Sequence, residues 1–71
     1  MILLDGEKSL YLHILEILIP HLRSGAVVLG DDTKQFKKTL APYVAYMQNP
    51  KNGFQSISLS LGEGVEYSVR L

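Results

Sequence analysis

Seventy-one residues hold one core and no more, since a chain of this size buries only about 60% of its unfolded surface on folding. Seven basic and seven acidic residues cancel, which leaves no net field to draw the chain onto nucleic acid or an anionic membrane surface. A hydrophobic content of 46% is too high for a disordered segment, and the absence of cysteine excludes disulfides and thiolate metal sites, as fits a reducing, cytoplasmic interior.

Met1, Ile2, Leu3 and Leu4 form a continuous apolar run closed by Asp5-Gly6. That is the pattern of a strand buried on both faces, as in parallel sheets, and it is too brief and too poor in positive charge for a signal peptide. The period then changes. Leu10, Leu12, Ile14, Leu15, Ile17, Leu18 and Ile19 crowd most of a helix surface, His13 and Glu16 are left to the wetter side, and Ser9 is the candidate cap. Pro20 cannot continue the ladder, so the helix is expected to stop near Ile19, too short and too polar to span a membrane. Ser24-Gly25 punctuates the way into Ala26, Val27, Val28 and Leu29, a second apolar strand that ends on Gly30-Asp31-Asp32. Strand, helix and strand over 1–32 make a βαβ unit. Its right-handed crossover sets the two strands parallel and brings Asp5 and Asp31 to the same end of one sheet.

A second helical segment is expected over 33–48, with Phe36, Leu40, Tyr43, Val44 and Met47 inward, Lys34, Lys37 and Lys38 outward, and a break at Pro42. After the turn Asn49-Pro50-Lys51-Asn52-Gly53 the period becomes two over 54–71. Ile57, Leu59 and Leu61 alternate with Ser56, Ser58 and Ser60, and Val65, Tyr67, Val69 and Leu71 alternate with Glu66, Ser68 and Arg70. Leu61-Gly62-Glu63-Gly64 joins the two runs as a hairpin. No internal repeat and no low-complexity linker interrupts this single α/β domain.

Acids that end two neighbouring parallel strands at one edge converge, because the strands lie only about 4.8 Å apart, and ligands of open α/β sheets bind at that edge. Asp5, Asp31 and Asp32 would give an all-oxygen, negative cluster suited to Mg²⁺ or Ca²⁺ rather than zinc. Lys8, one short turn beyond Asp5, is either a base whose proton affinity a neighbouring metal lowers or a neutraliser of spare carboxylate charge. Each residue also has a plain structural reading. Asp32 stands where a helix N-cap would, Asp5-Gly6 makes an ordinary strand-ending turn, and Lys8 suits a solvated surface. His13 and His21 lack a third ligand at useful spacing, and Tyr43, Tyr46 and Tyr67 fit core or rim. There is no glycine-rich phosphate loop and no Ser-His-Asp or Cys-His set.

The stretches "LLDGEKSLYLHILEILIPHLRSGAVVLGDDT" and "LAPYVAYMQNPKNGFQSISLSLGEGVEYSVRL" together resemble the C-terminal half of class I S-adenosylmethionine-dependent O-methyltransferases related to catechol O-methyltransferase. The likeness covers nearly the whole chain. It rests on the spacing of Asp5, Lys8 and Tyr11, on the acidic pair after the next strand, and on the terminal hairpin. It implies that Asp5, Asp31 and Asp32 hold a divalent cation that binds the acceptor's hydroxyls, and that Lys8 takes the proton from the attacking oxygen. Asp32 replaces the family's usual Asn, and Glu7 stands where some relatives place an aromatic against the cofactor's adenine. The resemblance further implies a partial Rossmann-like sheet of four strands, order 1-2-4-3, the last antiparallel and inserted between the second and third.

The family binds S-adenosylmethionine on a glycine-rich loop and an acid of its first half, neither of which these residues contain. The chain is therefore expected to be a fragment or remnant, beginning at a cut sheet edge, not catalytic alone and using that cofactor only if a partner supplies the other half. An open apolar edge leads to a homodimer or swapped assembly through the first strand or first helix. The alternative is an interaction module that recruits a partner through the same edge. A phospho-acceptor domain built on Asp31 or Asp5 with Lys8 lacks further elements that receivers need.

Overall fold

The two apolar runs and the helical stretch between them do form a crossover in the computed structural model, which describes residues 1–71. The regular elements are β1 (Ile2–Leu4), α1 (Tyr11–Leu18), β2 (Val27–Asp31), α2 (Lys37–Gln48), β3 (Phe54–Leu59) and β4 (Val65–Arg70). Single 3-10 turns occupy Lys8–Leu10, Ile19–His21 and Pro50–Asn52. The strands make one mixed sheet in the order β1-β2-β4-β3, with β1 parallel to β2 and β4 antiparallel to both of its neighbours. This is the α/β class expected from the sequence and the strand order that the family resemblance implies.

Both helices lie on one face of the sheet. Tyr11 and Leu15 from α1 and Leu40, Tyr43 and Met47 from α2 pack with Leu4, Val28 and Phe54 from the strands in one core cluster. Gly30 lets α2 come close, because a Cβ there would stand 2.7 Å from a ring carbon of Tyr43. With the other face bare, β1 is not the doubly buried strand its composition suggested. Leu4 is buried, Leu3 is 60% exposed and Met1 projects into solvent.

Several local expectations give way to tertiary contacts. Ser9 does not cap α1; its backbone N–H and hydroxyl instead donate to the Glu7 carboxylate within the preceding turn. α1 buries Tyr11 and Leu15 and leaves Ile17 exposed, as is Leu10 just before it, so only one stripe of its apolar surface meets the core. Pro42 does not break α2, which runs unbroken from Lys37 to Gln48. An interior proline costs a helix about 3 kcal/mol, and here Leu40, Tyr43 and Met47, all buried, hold both sides of it against the sheet. Phe36 lies just before α2 and is half-exposed rather than inward.

The hairpin alternates as its sequence does, but its polar side faces α2. Glu66 and Ser68 are fully buried. The Glu66 carboxylate accepts from Ser56 Oγ at 2.6 Å, from Gln48 Nε2 at 3.0 Å and, in a short contact, from Ser58 Oγ. Ser56 and Ser68 share a hydrogen bond of 2.6 Å. A buried carboxylate is tolerated only when its lone pairs are occupied, and four neutral side chains from α2, β3 and β4 form the network that does so.

Candidate metal centre

Parallel pairing aligns Leu4 with Gly30, so the residues that follow, Asp5 and Asp31, leave the sheet side by side at one edge. Asp32 then turns the chain with φ at 64°, a left-handed conformation that Asp and Asn visit more readily than other side chains. Its N–H donates to Asp31 Oδ1 at 2.9 Å, and its carbonyl accepts from the Phe36 N–H at 3.0 Å. Asp32 is thus not the N-cap of α2. That place belongs to Phe36, which makes no side-chain cap, because four turn residues separate the left-handed bend from the helix. Each of the three aspartates contributes one carboxylate oxygen to a group whose members all lie within 4.8 Å of one another.

Lys8 reaches into this group from the turn after β1. Its Nζ lies 2.8 Å from Asp32 Oδ2 and 3.7 Å from Asp5 Oδ1, and it donates to the Gly6 carbonyl at 3.1 Å. The ammonium sits 5.3 Å from the centre of the Tyr11 ring and 5.5 Å from that of Phe36, and the side chain is only 13% exposed. Lys8 is therefore an anchored ion. Its proton affinity is raised above the ordinary 10.5, chiefly by the hydrogen bond to Asp32 and next by the Tyr11 hydroxyl.

Tyr11 ties the rim to the core. Its hydroxyl donates to the Asp31 carbonyl at 3.3 Å, and its ring meets Tyr43 edge-on at 5.7 Å between centres. Burial pushes the Tyr11 hydroxyl above its usual range, and Lys8 pulls weakly the other way, so the hydroxyl remains a neutral donor.

The hairpin loop supports the rim from behind. Thr33 N–H donates to the Gly64 carbonyl, and the N–H groups of Lys34 and Gln35 donate to that of Glu63. Gly64 has φ at 95°, and a Cβ there would lie 2.5 Å from the Lys34 backbone nitrogen. Only glycine permits this close docking, which fixes the segment immediately after Asp32.

Three carboxylates and one ammonium leave the rim with a formal charge of −2. Oxygens on opposite sides of a Ca²⁺ ion stand about 4.8 Å apart at about 2.4 Å per bond, and a tighter shell suits Mg²⁺. The donor set is all oxygen and fits either hard cation. The histidines take no part: His13 and His21 are exposed and belong to no metal-capable group. A separate groove of about 590 Å³ runs between α2 and the hairpin, lined in part by Lys34, Lys37, Val44 and Leu59, and contains none of the aspartates.

Sequence reasoning places Asp5, Asp31, Asp32 and Lys8 together, as the structure does. It misses Phe36 as a wall beside Lys8 and Gly64 as the support of the Asp32 turn. A glycine in a hairpin loop reads as a local turn signal, and nothing in the local pattern marks a partner thirty residues away. No family model matches the chain, and no curated protein matches it.

Proposed function

We propose that this chain is a divalent-cation-binding α/β unit of the O-methyltransferase type, in which Asp5, Asp31 and Asp32 hold Mg²⁺ or Ca²⁺. The observation that carries the reading is the convergence of three carboxylates from the ends of two parallel strands, only partly offset by a single ammonium. A left-handed aspartate at that point adds to it, since strained backbone gathers at functional sites. When bound, such a cation polarises an acceptor hydroxyl. Methyl transfer from S-adenosylmethionine would depend on a partner bearing the glycine-rich loop that these residues do not contain.

Lys8 is the acceptor-side base that the resemblance implies, yet its ion pair with Asp32 holds its proton in place. In the absence of a cation it offsets one of the three negative charges of the rim. Lys8 and the cation therefore compete for Asp32, and replacing the lysine should tighten cation binding. Calorimetric titration with Ca²⁺ and Mg²⁺ tests this: one site in the parent, loss in Asp31→Asn and higher affinity in Lys8→Met are expected. No heat in the parent, or the same heat in Asp31→Asn, would remove the proposal. A chain without cysteine suits the reducing cytoplasm as its place of action.

A second reading, recruitment of a partner or a second copy through the sheet edge, is favoured by one observation: β1 is the end strand of the sheet and has a neighbour on one side only. Restored methyl transfer on mixing with a methyltransferase fragment that carries the glycine-rich loop would support it; no association at any ratio would count against it.

A further inference from the structure

The face of the sheet opposite the helices has an organised apolar surface. Leu3, Leu29, Tyr67 and Ile57 are register partners in a single row that crosses all four strands. Leu3 is 60% exposed, Ile57 57% and Tyr67 38%. Val27 and Val69 pair beside this row on one side, and Val65 and Leu59 on the other. The only formal charge on these rows is Asp31, at the rim end of the sheet. Meanwhile the hairpin turns Glu66 and its serines toward α2. The chain thus buries its polar hairpin face and presents its apolar one, which is favourable in water only if something covers the latter. Paired parallel strands such as β1 and β2 are ordinarily covered on both faces.

We infer that a second copy of this chain covers this face, sheet against sheet, about a two-fold axis near Tyr67. The inference is independent of the cation reading and uses a surface other than the β1 edge. A row of uncharged side chains with Tyr67 and Leu29 at its middle is self-complementary under a two-fold rotation, which sets no like charges opposite each other at the centre. A partner recognised by charge would find nothing to grip. Strands of 3, 5, 6 and 6 residues, at about 3.3 Å per residue and about 4.8 Å apart, offer roughly 320 Å² in projection, and side-chain relief raises two such faces to about 800 Å² of buried surface, below the range of stable specific interfaces and in that of transient ones. The dimer is accordingly weak and concentration-dependent, with aligned sheets about 10 Å apart.

Sedimentation equilibrium of the full chain between about 10 μM and about 1 mM, the range that brackets so small an interface, tests this. The mass should rise from 7.9 kDa toward twice that value. Ile57→Lys and Tyr67→Glu, each checked for fold by circular dichroism, should weaken association at least about tenfold by setting like charges together. Leu61→Lys, in the hairpin loop and 64% exposed, should leave it unchanged. If the charged variants lose their fold, the milder Ile57→Thr decides, with weaker association expected. A monomer throughout the range, or a dimer indifferent to Ile57 and Tyr67 but lost on Ile17→Lys in α1, overturns the inference. Ca²⁺ titration of Ile57→Lys should match the parent, so the two proposals fail separately.

Discussion

The β1–β2 half of the sheet offers Leu4 and Val28 to the helices and meets Tyr11, Leu15 and Tyr43 in an apolar core. The β3–β4 half offers Ser56, Ser58, Glu66 and Ser68 below Phe54, and Gln48 of α2 comes down to complete their hydrogen bonds. One pair of helices thus rests on two kinds of surface, held by different forces. The first gains from removing carbon from water. The second gains little from burial and depends on leaving no donor or acceptor alone. The difference teaches that alternation along a strand says which residues share a face, and not which face the helices choose.

Truncation in the apolar half should have the largest effect. Leu15→Ala removes a fully buried side chain from the centre of the cluster and should cost about 2–5 kcal/mol in urea unfolding. Glu66→Ala removes the acceptor that Ser56, Ser58 and Gln48 share, leaving them their bonds to Ser68 and to each other, and should cost about 1–3 kcal/mol, while Glu66→Gln, which can still accept, should cost less. If Glu66→Ala proves the more damaging of the two, the contrast between the halves is wrong. Gly64→Ala forces a side chain into a left-handed residue docked on Lys34, at about 1–2 kcal/mol. Its distinguishing sign is a parallel loss of Ca²⁺ affinity, because the Asp32 turn rests on that loop.

The smallest effect is in alkali. Lys8, Tyr11 and Tyr43 all hold their protons more tightly when folded, Lys8 through Asp32 and the tyrosines through burial. A raised folded-state pKa gives stability that is complete below the unfolded values of 10.5 for lysine and 10.0 for tyrosine and is lost as pH climbs beyond them. The urea midpoint should therefore be level up to about pH 9.5 and fall above it. Lys8→Met should soften the fall without abolishing it, since the two tyrosines lie in the core and Lys8 at the rim. An unchanged slope would show that the rim ion pair has no bearing on stability.

Much of this was legible from short-range pattern. The apolar runs around Leu3 and Val28, the punctuation at Asp5-Gly6 and Gly30-Asp31, and the period of two after Gly53 define the strands, and the parallel pairing of a crossover then brings Asp5 to Asp31. Lys8 follows because one turn of chain cannot carry it far. Pro42 misled because a proline's local cost says nothing of the three buried side chains that outweigh it. Asp32 misled because a cap and a left-handed turn favour the same residue type.

What the sequence by itself determined is the order and type of the elements and the meeting of three carboxylates at one rim, since those follow from periodicity, turn chemistry and the parallel direction that a crossover imposes. Only the tertiary structure decided that both helices lie on one face, that Glu66 goes under α2, and that the Leu3, Leu29, Tyr67 and Ile57 row faces outward. Those outcomes depend on residues far apart in sequence satisfying one another, Gln48 with Glu66 and Gly64 with Lys34. A hydrogen bond or a close packing contact between distant segments leaves no mark on the local pattern of either.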